Sequence, residues 1–205
     1  MLVFWKERLV YLATPKTGTT AIETALESLA SLAIQRPPEL KHTSAHRYWR
    51  YIAPYLAAAA DEDFFVVAVM REPIDWLGSW YRYNQREKMF RPERSTAGIS
   101  FDTFIEGYLS DPQPDYANVG QQSRFLMPQK GPGVDRIFRY DDMDSLVGFL
   151  EDRLNCEILL PRLNVSPEGS LDLAPDIEAR LRRERAREFA LFDSLKTGCY
   201  NDPLA

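Results

Sequence analysis

Apolar residues follow two rhythms along this chain, and their order predicts strands alternating with helices. Leu9 to Ala13 (LVYLA) is a short apolar run closed by Thr14-Pro15, the pattern of a buried strand. From Ala21 the apolar positions Ile22, Ala25, Leu26, Leu29 and Leu32 fall at helical spacing. Phe64 to Met70 (FFVVAVM) is uninterrupted and rich in β-branched and aromatic residues, as expected of a central strand covered on both faces. Beyond Arg71-Glu72, Pro73 is placed to open a helix. In it Trp76, Leu77, Trp80 and Tyr83 or Asn84 share one face, and Asp75, Ser79, Arg82 and Arg86 another.

The remaining pattern continues the alternation. Residues 47–60 read as a helical stretch interrupted at Pro54, with Tyr48, Trp49, Ile52 and Leu56 on its apolar side. Ser100 is placed to cap a helix over 101–109, and a further helix is predicted over 119–126. A strand over 136–140 leads to an amphipathic helix over 142–154, a last short strand over 158–160, and one long helix over 175–194. Residues 89–99 and 164–172 are polar and read as loops. The order predicts one α/β domain over 1–205: three layers, with a central mainly parallel sheet flanked by helices.

Composition narrows the class. At 205 residues, 45% hydrophobic and 27% charged, with a mean hydropathy of −0.35, the chain has the balance of a soluble globular protein. No apolar run approaches the roughly 20 residues of a membrane span. Lys6, Glu7 and Arg8 interrupt the first apolar stretch, which is therefore not a secretory signal. The fold begins almost at once, leaving no room for a membrane stalk. Two cysteines, Cys156 and Cys199, are too few for a disulfide framework and fit a reducing, cytoplasmic setting. The only histidines, His42 and His46, have no cysteine nearby, so no metal site is expected. A net charge of −5 argues against nucleic acid as a partner. Any anion chemistry must therefore gather its cations locally.

One place to gather them is the break between the first strand and first helix, Pro15-Lys16-Thr17-Gly18-Thr19-Thr20. Gly18 permits a tight turn, and Thr19 and Thr20 are residue types that serve the free N–H groups of a helix start. Such a loop aims backbone N–H groups and a positive helix end at one spot, where a phosphate or sulfate fits, and Lys16 adds a full charge. It is not the nucleoside-triphosphate loop, which requires G-x-x-x-x-G-K-[ST]. Arg71 closes the central strand at the edge where ligands bind in open α/β sheets, and Ser79 lies two turns along the helix that leaves that edge.

These residues resemble the sulfotransferases that use 3′-phosphoadenosine 5′-phosphosulfate (PAPS), in particular the carbohydrate-type branch. Pro15 to Thr20 resembles their 5′-phosphosulfate loop, and Arg71-x-Pro73 with Ser79 and Tyr81 resembles their 3′-phosphate motif. Lys41-His42-Thr43-Ser44-Ala45, Arg139-Tyr140-Asp141-Asp142-Met143 and Glu188-Phe189-x-Leu191-Phe192 resemble further segments of that branch. Trp76 stands where many members carry arginine, Asp141 where glutamate is usual, and Ala21 where cytosolic small-molecule members carry tryptophan.

The resemblance implies a P-loop-like fold and sulfuryl transfer from PAPS to an acceptor hydroxyl on a glycan, lipid or small molecule, without a metal. It assigns Lys16 to the bridging oxygen, Pro15 to Thr20 to the 5′-phosphosulfate end, and Arg71 and Ser79 to the 3′-phosphate. His42 is the leading candidate for the base, because imidazole titrates near neutrality; His46 and Glu72 are alternatives. A P-loop kinase and a non-catalytic PAPS-binding member are the competing readings. The arginine-rich stretch 180–187 has Glu178, Glu184 and Glu188 interspersed and reads as a solvated helical face. Tyr48, Trp49, Tyr51 and Tyr55 read mostly as packing residues.

Overall fold

The computed structural model describes residues 1–86, 92–161 and 171–197. Cys199, part of the predicted 89–99 loop and most of the predicted 164–172 loop lie outside them. The strands are β1 (Leu2–Phe4), β2 (Leu9–Leu12), β3 (Leu32–Ala33), β4 (Phe65–Met70) and β5 (Arg136–Arg139), in the spatial order β3-β1-β2-β4-β5. The helices are α1 (Thr19–Leu26), α2 (Pro38–Lys41), α3 (Ala45–Arg47), α4 (Ala53–Ala57), α5 (Pro73–Asn84), α6 (Phe101–Leu109), α7 (Gln122–Leu126), α8 (Met143–Leu154), α9 (Pro175–Glu184) and α10 (Ala186–Ser194).

The chain is thus α/β, but the sheet is mixed, so the expected mainly parallel sheet is met only in part. β2, β4 and β5 run parallel, whereas β1 is antiparallel to both β2 and β3. Alternating side chains send each strand's residues to opposite faces. Val3, Val10, Leu12, Val66, Ala68 and Met70 meet Tyr48, Leu56, Leu126 and Phe192 on one side. Leu2, Phe4, Leu9, Tyr11, Val67, Val69 and Phe138 meet Ile22, Leu26, Leu146 and Leu150 on the other. Both faces are covered, so the helix–sheet–helix layering is present. A third apolar cluster joins α5, α6, α9 and α10 through Trp76, Leu77, Phe104, Tyr108, Leu181 and Phe189.

Several expectations need correction. The first helix ends at Leu26; Glu27–Leu29 is a single tight turn, Leu29 is exposed, and Leu32 belongs to β3. The helical period of those apolar positions was coincidental, because pairing with β1 draws Leu32 into the sheet. β1 itself escaped the sequence reading because its run is only three residues long. The predicted 119–126 helix is limited to Gln122–Leu126, and the 158–160 strand is irregular backbone, although Ile158 is buried. The last helix is two, broken at Arg185. Around Pro54 the path is α3, a π-helical turn over Tyr48–Ile52, then α4, which accommodates a residue lacking an N–H. Tyr48 packs inside as expected, whereas Tyr51 and Tyr55 face solvent. Ser100 does cap α6, and Pro73 does open α5.

Candidate functional site

Register decides where the strand ends fall. Leu12 pairs with Ala68, and Met70 with Arg139. The loop after β2, Arg71 after β4 and Tyr140 after β5 therefore emerge side by side on one sheet edge. Trp76 donates its indole N–H to the Pro15 carbonyl at 2.9 Å, and Arg71 Nη1 donates to the Lys16 carbonyl at 3.3 Å. Thr17 Oγ1 donates to the Thr14 carbonyl at 2.9 Å. Trp76, which takes the place of an expected arginine, thus holds the loop rather than a ligand.

The loop turns through left-handed backbone at Lys16 (φ 66°) and Gly18 (φ 70°). For lysine this conformation is strained, a state that persists only where surrounding contacts hold it. An added Cβ on Gly18 would sit 3.3 Å from a ring carbon of Tyr140. Gly18 is the residue before the helix, and among the described residues no side chain caps α1. The expectation that Thr19 or Thr20 caps it is therefore not met. Thr17 and Thr19 are buried, whereas Gly18 and Thr20 are exposed. The accessible part of the seat is the backbone of Gly18 to Thr20 with the Thr20 side chain. The Thr17 hydroxyl is engaged inside the loop.

Aromatic rings of α5, with Arg82 on it and Arg86 just beyond it, surround Lys16. The Lys16 ammonium lies 4.0 Å from the centre of the Tyr83 ring and 5.5 Å from that of Trp80, while Arg86 covers Tyr83 at 4.6 Å. Burial, then the charges of Arg86, Arg71 and Arg82, pull the Lys16 pKa down to about 8. Burial is the larger cause and the neighbouring charges add to it, so both disfavour the charged form of Lys16. Arg82 Nε and Trp80 Nε1 are buried and find no hydrogen-bond partner among the described residues.

Arg71 is committed more deeply than its sequence position shows. Its Nε and Nη2 donate to the two carboxylate oxygens of Asp75 at 2.5 and 2.9 Å, and its guanidinium lies 4.5 Å over Tyr140. Arg82 reaches the same carboxylate at 3.7 Å. The fork expected for a phosphate is thus already shared with Asp75. Ser79, one turn beyond Asp75, is 2% exposed. Gln122 clasps the Arg71 peptide, accepting from its N–H at 3.0 Å and donating to its carbonyl at 2.8 Å.

His42 follows α2, and its Nδ1 lies 2.7 Å from the carbonyl of Ala13, at the end of β2. A carbonyl only accepts, so Nδ1 carries the proton and Nε2 is the basic nitrogen. Burial lowers the His42 pKa, more than the Ala13 carbonyl raises it. His46 is exposed on α3. Glu72 caps α5, accepting from the Asp75 N–H at 2.8 Å, and burial raises its pKa. Its place is structural. Among the described residues no three His, Cys, Asp or Glu side chains gather as a metal site would require. In the arginine-rich stretch, Arg180 pairs with Glu184 at 2.7 Å and Arg182 with Glu178 at 2.8 Å, a salt-bridged surface face.

The sequence reading missed Asp75, Tyr83, Tyr140 and Gln122 as members of this site. Asp75 was discoverable, since four residues after Arg71 it lies on the same helix side. Gln122 was not, because 51 residues separate it from its partner. No family model matches the chain, and neither a curated protein nor a solved structure matches it significantly.

Proposed function

We propose that this chain is a sulfotransferase that moves a sulfuryl group from PAPS to an acceptor hydroxyl. The resemblance of Pro15–Thr20 and of Arg71, Pro73 and Ser79 names the donor. The observation that carries the reading is that Arg86, Arg71 and Arg82 all act on Lys16, which sits in the loop leading into α1, in a chain of net charge −5. A polyanion relieves that repulsion; a neutral ligand does not.

When bound, PAPS supplies an activated sulfuryl group, whose bond to the bridging oxygen breaks as a bond to the acceptor oxygen forms. Lys16 holds the bridging oxygen and stabilises the charge that develops on the 5′-phosphate. The backbone of Gly18 to Thr20 orients that phosphate at the start of α1. Arg71 meets the 3′-phosphate with the N–H groups that Asp75 and the Lys16 carbonyl leave over, and Ser79 lies on α5, the helix that follows it. His42 Nε2 takes the acceptor's proton, with Nδ1–H locked on Ala13. The donor set is cationic and needs no metal to neutralise the donor.

Calorimetric titration of adenosine 3′,5′-bisphosphate and adenosine 5′-phosphate tests the reading, followed by turnover of PAPS with a panel of hydroxyl acceptors. The bisphosphate is expected to bind more tightly, and Arg71→Ala to erase about tenfold or more of that preference. Equal affinities in the wild type, or preferential binding of ATP with Mg²⁺, would favour the kinase reading instead. Tight bisphosphate binding without turnover would mark a binding module.

A further inference from the structure

The anion seat is held from behind by groups that no ligand touches. Gln122 is 1% exposed and makes two opposed hydrogen bonds to the backbone of Arg71, to the N–H on one side of its Cα and the carbonyl on the other, so its amide can face only one way. Gln122 is itself seated. Glu188 on α10 is 4% exposed and accepts from the Gln122 N–H at 3.1 Å, the Ser123 N–H at 3.0 Å and the Ser123 hydroxyl. One carboxylate thereby satisfies the free N–H groups at the start of α7, where no helix side chain caps it. The chain of contacts runs from α10 through α7 to the end of β4, and from Arg71 Nη1 to the Lys16 carbonyl.

We propose that Gln122, seated by Glu188, is a positioning residue that fixes the Arg71 peptide and so aims its guanidinium at the loop of Lys16. A buried carboxylate engaged by three donors and a buried amide with both ends used form a fully satisfied polar network, which specifies one geometry. Three features argue against a purely packing role. Gln122 spends both ends of its amide on Arg71 alone. Arg71, at the end of β4, touches the loop after β2 at the Lys16 carbonyl. The anchor also lies on a different element from the residue it orients, so the seat is set only when α10 has docked.

The consequence for nucleotide binding rests on the reading given under Proposed function, whereas the positioning itself can be read without any nucleotide. The Nε–H resonance of Arg71 is assigned by its loss in Arg71→Lys, and its exchange with water is followed in wild type, Gln122→Met and Glu188→Gln. The Nε–H of Arg139, which donates to Asp141 at 2.9 Å, serves as the internal control. Gln122→Met is expected to speed Arg71 exchange by about tenfold, with Arg139 unchanged and a smaller effect in Glu188→Gln. Should Gln122→Met not fold, the shape-preserving Glu188→Gln carries the test, with an expected increase of about threefold. Unchanged Arg71 exchange in the folded variants overturns the inference, as does an equal change at Arg139. In parallel, Gln122→Met is expected to reduce the preference for adenosine 3′,5′-bisphosphate over adenosine 5′-phosphate by about tenfold, and to add nothing further to Arg71→Ala. Loosening of Arg71 in a protein whose wild type shows no such preference supports the positioning and removes the nucleotide reading.

Discussion

Removing the Lys16 charge should stabilise the fold while abolishing the anion seat. In the ligand-free protein the ammonium is half-buried, faces three arginines, and has its pKa lowered from 10.5 to about 8. At about 1.4 kcal/mol per tenfold, that corresponds to at most about 3 kcal/mol against the charged form, and solvent screening reduces it to the order of 1 kcal/mol. Contact with the Tyr83 ring offsets part of the remainder. Lys16→Met keeps an unbranched chain on the same aromatic surface without the charge. Its melting temperature at pH 7 should therefore rise by roughly 2–4 °C, as about 1 kcal/mol does in a chain of this size. The sign of the pH dependence follows from linkage. Between about 8 and about 10.4 the unfolded wild type holds the proton that the folded protein has released, so wild-type stability rises relative to the variant across that window. The gap between the two should be full at pH 7 and largely closed by pH 10. Calorimetric melts of both proteins at the two pH values, paired with nucleotide titrations, check this. A variant less stable than wild type at pH 7, or a gap that ignores pH, would refute the argument that these cations repel one another over an anion seat.

Three further perturbations probe the same site. His42→Asn should lower turnover by about 10²–10⁴ with little change in melting, and the acid limb of the wild-type rate profile should lie below 6.5 because burial depresses the His42 pKa; normal turnover in the variant would remove the base. Gly18→Ala places a Cβ in left-handed backbone and 3.3 Å from Tyr140, so a loss of about 1–2 kcal/mol in denaturant unfolding is expected, together with weaker nucleotide binding. Asp75→Asn frees the Arg71 fork, and titration should show a severalfold gain in affinity for the 3′-phosphorylated nucleotide, with unchanged or weaker binding arguing that Asp75 aims Arg71 instead.

Residues near each other in sequence were read well, and distant partners poorly. The continuous run ending at Met70, Pro73 at a helix start, Ser100 as a cap and the break into Pro15–Gly18 all announce themselves through local sterics and hydrogen bonding. The misreadings share one cause. Leu32 continues a helical period and Arg185 sits within one, but pairing with β1 and the docking of α10 against α5 and α7 override both. Thr17 and Thr19 look equally available in sequence, yet the loop folds them inward and leaves Thr20 out.

What the linear sequence determined by itself is a strand, a glycine turn and a helix start in immediate succession, because backbone freedom and hydrogen-bonding geometry act over a few residues. It also determined that Lys16 lies in the loop that follows one strand and that Arg71 closes another. Only the tertiary structure decided that those two stretches meet: parallel register aligns the ends of β2, β4 and β5, and α5 with the residues just after it brings Tyr83, Arg82 and Arg86 to Lys16. The clasp of Arg71 by Gln122 and the hold of Ala13 on the His42 ring likewise come from contacts whose partners the chain brings together across 51 and 29 residues. Local rules cannot rank such contacts, since their energy depends on burial that exists only once the layers have packed.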